Sequence, residues 1–223
     1  MRSSIWIAFE GMLRKELCIG FRSHTRWVIM FMFAVMMLAC VSLAVGGTGL
    51  PVFVQAALLW ILIFFAALTG TGQTFTDEAQ QGTFLLLRSY GQAQAVLFGK
   101  MVFMFLELVL LTLVIVPLAC VFLNIDIAQP WPLVAVLLLG LAGIAGAGTL
   151  VAFLTLSAKV RNGLFFILML PLLLPVFLTA IAVTTSALEG SFTDRSWLLG
   201  LALYDALLIV GSSVLFDYVW YEV

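Results

Sequence analysis

The stretch "VFVQAALLWILIFFAALTGTGQTFTDEAQQGT", residues 52–83, sets an apolar run directly against a polar one. The run 52–72 interrupts its hydrocarbon only with Gln55, two threonines and two glycines. About 20 such residues, rising 1.5 Å each as a helix, cross a bilayer core of ~30 Å. Residues 73–83 cannot continue into lipid. They carry three glutamines, the pair Asp77-Glu78 and Gly82 within one compact segment. The reading is therefore a membrane span followed by a polar connection.

The rest of the chain agrees. Of its 223 residues 64% are hydrophobic and 9% charged, and the mean hydropathy is +1.22. A water-soluble domain of this length leaves too much surface in water to hide that composition. Six segments are long and apolar enough to span: 27–45, 52–72, 96–123, 132–156, 164–184 and 197–218. The connections are short, so 1–223 reads as a single all-α membrane domain. The first apolar run starts behind a charged segment and is long enough to span, which argues against a cleavable signal peptide.

Charge placement orients the bundle. Arg2, Arg14, Lys15, Arg22 and Arg26 precede the first span, Arg88 and Lys100 are assigned to the second connection, and Lys159 and Arg161 to the fourth. The other side has Arg195 alone, with Asp126, Glu189 and Asp194. By the positive-inside rule both termini, residues 73–100 and residues 156–162 are expected in the cytoplasm. Trp27, Trp131, Trp197 and Trp220 fall near expected helix ends, where interfacial anchors belong.

Residues 1–26 are amphipathic. Trp6, Phe9, Leu13, Leu17 and Phe21 recur at helical spacing, with Glu10, Arg14 and Lys15 between them. This predicts a helix lying on the cytoplasmic leaflet, its cations drawn to anionic lipid. It serves as an anchor or takes part in gating. In the polar connection, Thr74 can cap a helix with Asp77 three residues on, and Gly82 permits a break or a close backbone approach. Residues 74–95 thus read as a short helix along the membrane, presenting acids and amides to a soluble partner, or as a solvated loop.

The pattern Phe75-x-Asp77-Glu78-x3-Gly82-Thr83 resembles the cytoplasmic loop of the CcmB-like heme-exporter permease family of cytochrome c maturation. The "LPLLLP" at 170–175, with Pro171 and Pro175, is similar to that family's proline-containing helix, and "RKEL" at 14–17 is similar to its leading helix. The chain departs from the family at 88–95, "RSYGQAQA", where prolines are usual. The resemblance implies an ABC-2 exporter-like fold in the bacterial inner membrane. It implies that Phe75, Asp77, Glu78, Gly82 and Thr83 form the coupling helix that docks on a separate, CcmA-like ABC ATPase subunit. It further implies a second copy of the chain, CcmC- and CcmD-like heme-handling subunits, heme as cargo of the complex, and ATP on the partner subunit. Two other readings fit the residues: an ABC-2 permease for a lipid, glycan or drug, and a membrane scaffold that transports nothing.

Other chemistry finds little support. The nearest approach to a Walker A loop runs from Gly91 to Gly99-Lys100, too long between the glycines and with Met101 in the Ser/Thr position. No ATPase, and no enzyme, is expected in this chain. Cys18, Cys40 and Cys120 are scattered, predicting neither disulfides nor a metal site. The one histidine, His24, precedes the first span and reads as an interfacial polar residue, and no bound cofactor or nucleic-acid partner is expected. Two acids interrupt spans. Glu107 lies in the third and Asp205 in the sixth, Asp205 about 12 Å beyond Trp197 at 1.5 Å per residue. Each lines a functional path, or is a neutral carboxyl bonded to a neighbouring helix; for Asp205 the candidates nearest in sequence are Tyr204, Ser212 and Ser213. Gly140, Gly143, Gly146 and Gly148 suggest close helix packing in the fourth span. Pro171 and Pro175 suggest a bend in the fifth.

Overall fold

The computed structural model describes residues 2–22, 24–46, 49–71, 93–157 and 163–220. Those residues form helices joined by short connections, with no strand among them. The helices are α1 (Arg2–Arg22), α2 (His24–Val45), α3 (Val52–Thr71), α4 (Ala93–Leu123), α5 (Pro130–Ser157), α6 (Gly163–Glu189) and α7 (Ser196–Trp220). Lipid offers no hydrogen bonds, so a spanning backbone must satisfy itself, and helices do this within one segment. The six helices α2–α7 are long and apolar enough to cross a membrane. This is a multi-pass helical membrane protein.

Helix α5 is the hub. It is the most buried of the six, and α3, α4, α6 and α7 all pack on it. Its glycines explain why. Gly140 lies flat beneath the ring of Trp60 from α3, and Gly143 faces Val176 of α6 and Asp205 of α7. Gly146 lies near Met101 of α4 and Ile209 of α7. Without a hydrophobic drive between helices in lipid, such close approach supplies the association. Buried hydrogen bonds add specificity: Trp60 Nε1 donates to Thr184 Oγ1 of α6 at 2.9 Å. The least buried spans, α2 and α7, turn Met32, Met36, Leu43, Leu203, Leu207 and Val214 outward. In a membrane these are lipid-facing.

Helix ends are closed locally. Asn124 has φ 52° and Gly190 φ 74°. Each follows its helix as a left-handed cap, with Ile125 N donating to Cys120 O and Ser191 N to Ser186 O, both at 3.0 Å. The last carbonyls of α4 also receive side chains from its neighbours. Ser42 Oγ of α2 donates to Phe122 O at 3.0 Å, and Gln55 Nε2 of α3 donates to Leu123 O at 3.4 Å. At the opposite end of the bundle Gln94 Nε2 donates to Asp217 Oδ2 at 3.0 Å, placing the start of α4 beside the end of α7.

The amphipathic helix exists, but with a different inward face. Met12, Glu16 and Gly20 are its buried stripe, and Phe9, Leu13 and Leu17 are only half-buried beside it. The side chains of Trp6 and Phe21 lie outside those described. A bilayer would select the most apolar face, whereas α1 is docked on α4, which selects by fit. The expected segment 1–26 is also two helices: α1 closes at Arg22, and α2 begins at His24.

Candidate functional site

The contact between α1 and α4 is built from small residues around one ion pair. The ring of Phe103 packs on the bare backbone of Gly20, and Met12 packs on that of Gly99. Any larger residue at either glycine would meet these side chains. Between the two contacts, Lys100 Nζ lies 3.0 Å from Glu16 Oε1. The lysine side chain is 1% exposed and the glutamate 10%. Lys15 stands on the outer side of the same carboxylate, 3.5 Å away. Trp27 Nε1 of α2 donates to Gly20 O at 3.0 Å, fixing the end of α1 from the other side.

Lys100 is therefore not part of the polar connection, as charge counting placed it. It lies two turns inside α4, which begins at Ala93. The 31 residues of α4 rise about 46 Å, well over the ~30 Å core. Its first turns, with Lys100, extend beyond the hydrocarbon when Leu123 sits at the opposite boundary. An ion pair can persist there because its outer flank reaches polar surroundings while its inner flank is packed.

Asp205 has the opposite environment. It is 4% exposed in α7 and lies against α5: a Cβ added to Gly143 would stand 2.5 Å from Oδ1 and 3.2 Å from Val176 Cγ2. Among the described residues no hydrogen-bond partner reaches either carboxylate oxygen. The partners proposed from sequence are engaged elsewhere. Tyr204 OH donates to Leu172 O at 2.7 Å, Ser212 Oγ to Leu208 O at 2.6 Å, and Ser213 Oγ to Val210 O at 2.8 Å. The serines bond back to their own helix, as hydroxyls in helices do. Glu107 is also buried, 2% exposed, within α4.

Pro171 and Pro175 lie within α6, which runs on through both. A proline lacks the N–H that would bond four residues back. The Tyr204 hydroxyl reaches into this weakened stretch, at Leu172. Below it Pro175, Thr179, Ser196, Trp197, Gly200, Leu201 and Tyr204 line a cleft of about 400 Å³ between α6 and α7. At the mouth, Ser196 N donates to Asp194 Oδ1 at 2.9 Å. This bond, with a second from the Ser196 hydroxyl, holds the Asp194 carboxyl below the usual carboxylate range.

Phe75, Asp77, Glu78, Gly82 and Thr83 lie outside the described residues. Their segment joins the end of α3 to the start of α4, at the end of the bundle that also carries α1 and the end of α7. His24, Lys159 and Arg161 have side chains outside those described. The structure thus keeps Asp205 and Glu107 as buried acids and adds Glu16 and Lys100. Sequence held one hint of that pair: Lys100 is flanked by Leu97, Phe98, Met101 and Val102, surroundings no solvated lysine needs. No group of three or more metal-binding side chains occurs among the described residues.

Six apolar helices, four of them packed on the glycine-rich α5, define a multi-pass membrane protein rather than a soluble module. The family model described as "CcmB protein" matches residues 7–216. That is nearly the whole chain, from α1 to the last turns of α7, and the chain belongs to the CcmB family of membrane permease subunits. No curated protein matches it.

Proposed function

We propose that this chain is the permease subunit of an ABC transporter that acts in cytochrome c maturation. A separate ATPase subunit hydrolyses ATP, and this chain turns that work into movement of heme or its release from a chaperone. The observation that carries the reading is the family match, which runs through α1, all six spans and the 73–83 segment. In this reading the protein sits in the bacterial inner membrane with both termini and residues 73–92 in the cytoplasm. It works beside a second copy of itself and other heme-handling membrane subunits.

The ATPase docks on Phe75, Asp77, Glu78, Gly82 and Thr83. The segment is too polar for lipid and is tied to spans at both ends, so force applied to it reaches α3 and α4. An aromatic side chain such as Phe75 can anchor an interface of this kind, while acids pair with Arg or Lys on the partner. Asp205 and Glu107 serve as intramembrane acids along the working path. Pro171 and Pro175 give α6 a place to flex.

The test is recovery of the ATPase with a Phe75→Ala, Asp77→Lys, Glu78→Lys variant. Recovery should fall sharply, with Phe75→Ala alone costing about 1–4 kcal/mol of binding as a hot spot. The charge reversals should weaken association most at low salt, where screening is least. Undiminished recovery by a folded, inserted variant would leave the segment as a plain connection.

A further inference from the structure

We propose that Glu16 and Lys100 form a latch that makes α1 and the leading turns of α4 one mechanical unit, so that α1 moves with the segment preceding α4. The inference deepens the proposed function and rests on it for the source of the motion. The latch itself stands on geometry alone.

The ion pair bridges 84 positions of sequence at 3.0 Å, with the lysine side chain 1% exposed. An anchor held by lipid needs no such bond. Its cations should face headgroups and its apolar side should face acyl chains. Here a glutamate occupies the centre of the buried face, and the lysine that meets it is withdrawn from headgroups. Taking two charges out of water is costly, and their mutual attraction seldom exceeds that cost. Such a pair can instead fix the register between two elements, and that is its role in the latch. Glycines on both sides fit this register: a Cβ at Gly20 would meet the Phe103 ring, and one at Gly99 would meet Met12 and the backbone nitrogen of Leu13. A slide of one turn would set Phe103 against Glu16 and leave Lys100 without its carboxylate.

The position of the latch gives it a use. Lys100 is seven residues past Ala93, where α4 begins. The segment between α3 and α4 ends there, so displacement of that segment enters α4 about two turns before the pair. Through Lys100 it passes to α1, and through the Trp27–Gly20 bond it reaches the start of α2. Glu16 and Lys100 are thus positioning residues, which touch no substrate. The exposed stripe of α1, with Arg14, Cys18 and Arg22, is carried along.

The test uses the full-length chain in lipid nanodiscs and, separately, in cells with its partners. Backbone hydrogen exchange across residues 7–20 reads the latch. Glu16→Gln and Lys100→Met should each speed exchange at least about tenfold, since each breaks a buried pair. The swap Glu16→Lys with Lys100→Glu should return exchange toward the wild-type rate. Unchanged exchange in both single variants would overturn the latch. In cells, c-type cytochrome yield should fall at least about tenfold in the single variants at equal membrane levels, and recover in the swap. A neutral pair, Glu16→Gln with Lys100→Met, guards against misfolding: it leaves no buried charge at either position, and should insert normally yet lose yield. If α1 loosens in these variants while yield stays at the wild-type level, α1 is not part of the transmission. If the wild-type chain supports full yield without any ATPase partner, the permease reading fails, and the exchange result still decides the latch.

Discussion

Glu16 and Asp205 are both buried carboxylates, 8% and 4% exposed, and the bundle treats them in opposite ways. Glu16 meets a lysine at 3.0 Å, near a helix end, with a second lysine at its outer flank. Asp205 lies against the backbone of Gly143, with no hydrogen-bond partner for either oxygen among the described residues. The first acid is satisfied where it sits, and removing its partner is what harms it. The second has no such partner among the described residues, so its burial is a cost to the fold. A polar group that costs stability and remains inside a membrane points to use rather than support.

The contrast is sharpest for single substitutions. Lys100→Met should be the most damaging change, because it strands Glu16 in a packed contact. Loss of one member of a buried pair costs about 3–5 kcal/mol, and the outer flank near Lys15 places this pair toward the low end. Thermal unfolding in detergent checks it, and Glu16→Gln in the same background should recover much of the loss. A Lys100→Met protein as stable as wild type would show that the pair carries no weight.

Gly143→Ala should come next. Its methyl would stand 2.5 Å from Asp205 Oδ1 and 3.2 Å from Val176, so α5, α6 and α7 must part slightly. Overpacking of this kind costs about 1–3 kcal/mol. Combining it with Asp205→Ala removes the obstructing oxygen, and the pair of substitutions should be less than additive. Strict additivity would mean that Asp205 does not press on Gly143.

Asp205→Asn should barely alter unfolding, since the amide keeps the shape and no donor among the described residues reaches the carboxylate. It should lower cytochrome c maturation if ionisation is part of the cycle. Wild-type maturation by the Asn variant would make Asp205 a packing residue. The smallest effect belongs to Asp194. Asp194→Ala should speed hydrogen exchange only at the first turn of α7, where the cap to Ser196 is lost. The Asp194 carboxyl titrates below its ordinary range, so its contribution is present above that range and fades as pH falls through the lowered value. The difference between wild type and Asp194→Ala should therefore shrink in acid.

Much of the architecture could be read from residues. Each span announces itself by length and apolarity, and the glycines of α5 are recognisable as small residues at helical spacing. The docking of α1 could not be read this way. Periodicity ranks faces by hydrophobicity, and it chose Trp6, Phe9, Leu13, Leu17 and Phe21. The real inner face contains a glutamate and a glycine, whose partners Lys100 and Phe103 lie far along the chain. Asp205 was recognisable as a buried acid, but its isolation was not. Tyr204 and Ser212 are near it in sequence, yet their hydroxyls turn to backbone carbonyls of α6 and α7. Phe75, Asp77 and Glu78 rest on sequence resemblance and on where their segment attaches.

The measurement that tests the account most directly is co-purification of the wild-type chain from its own membranes, with mass identification of what accompanies it. The account predicts a soluble ATPase in stoichiometric amount, and ATP turnover that rises when the two are joined in nanodiscs. That rise should be lost with Phe75→Ala, Asp77→Lys, Glu78→Lys. A chain that sustains cytochrome c maturation while recovering no ATPase would contradict it.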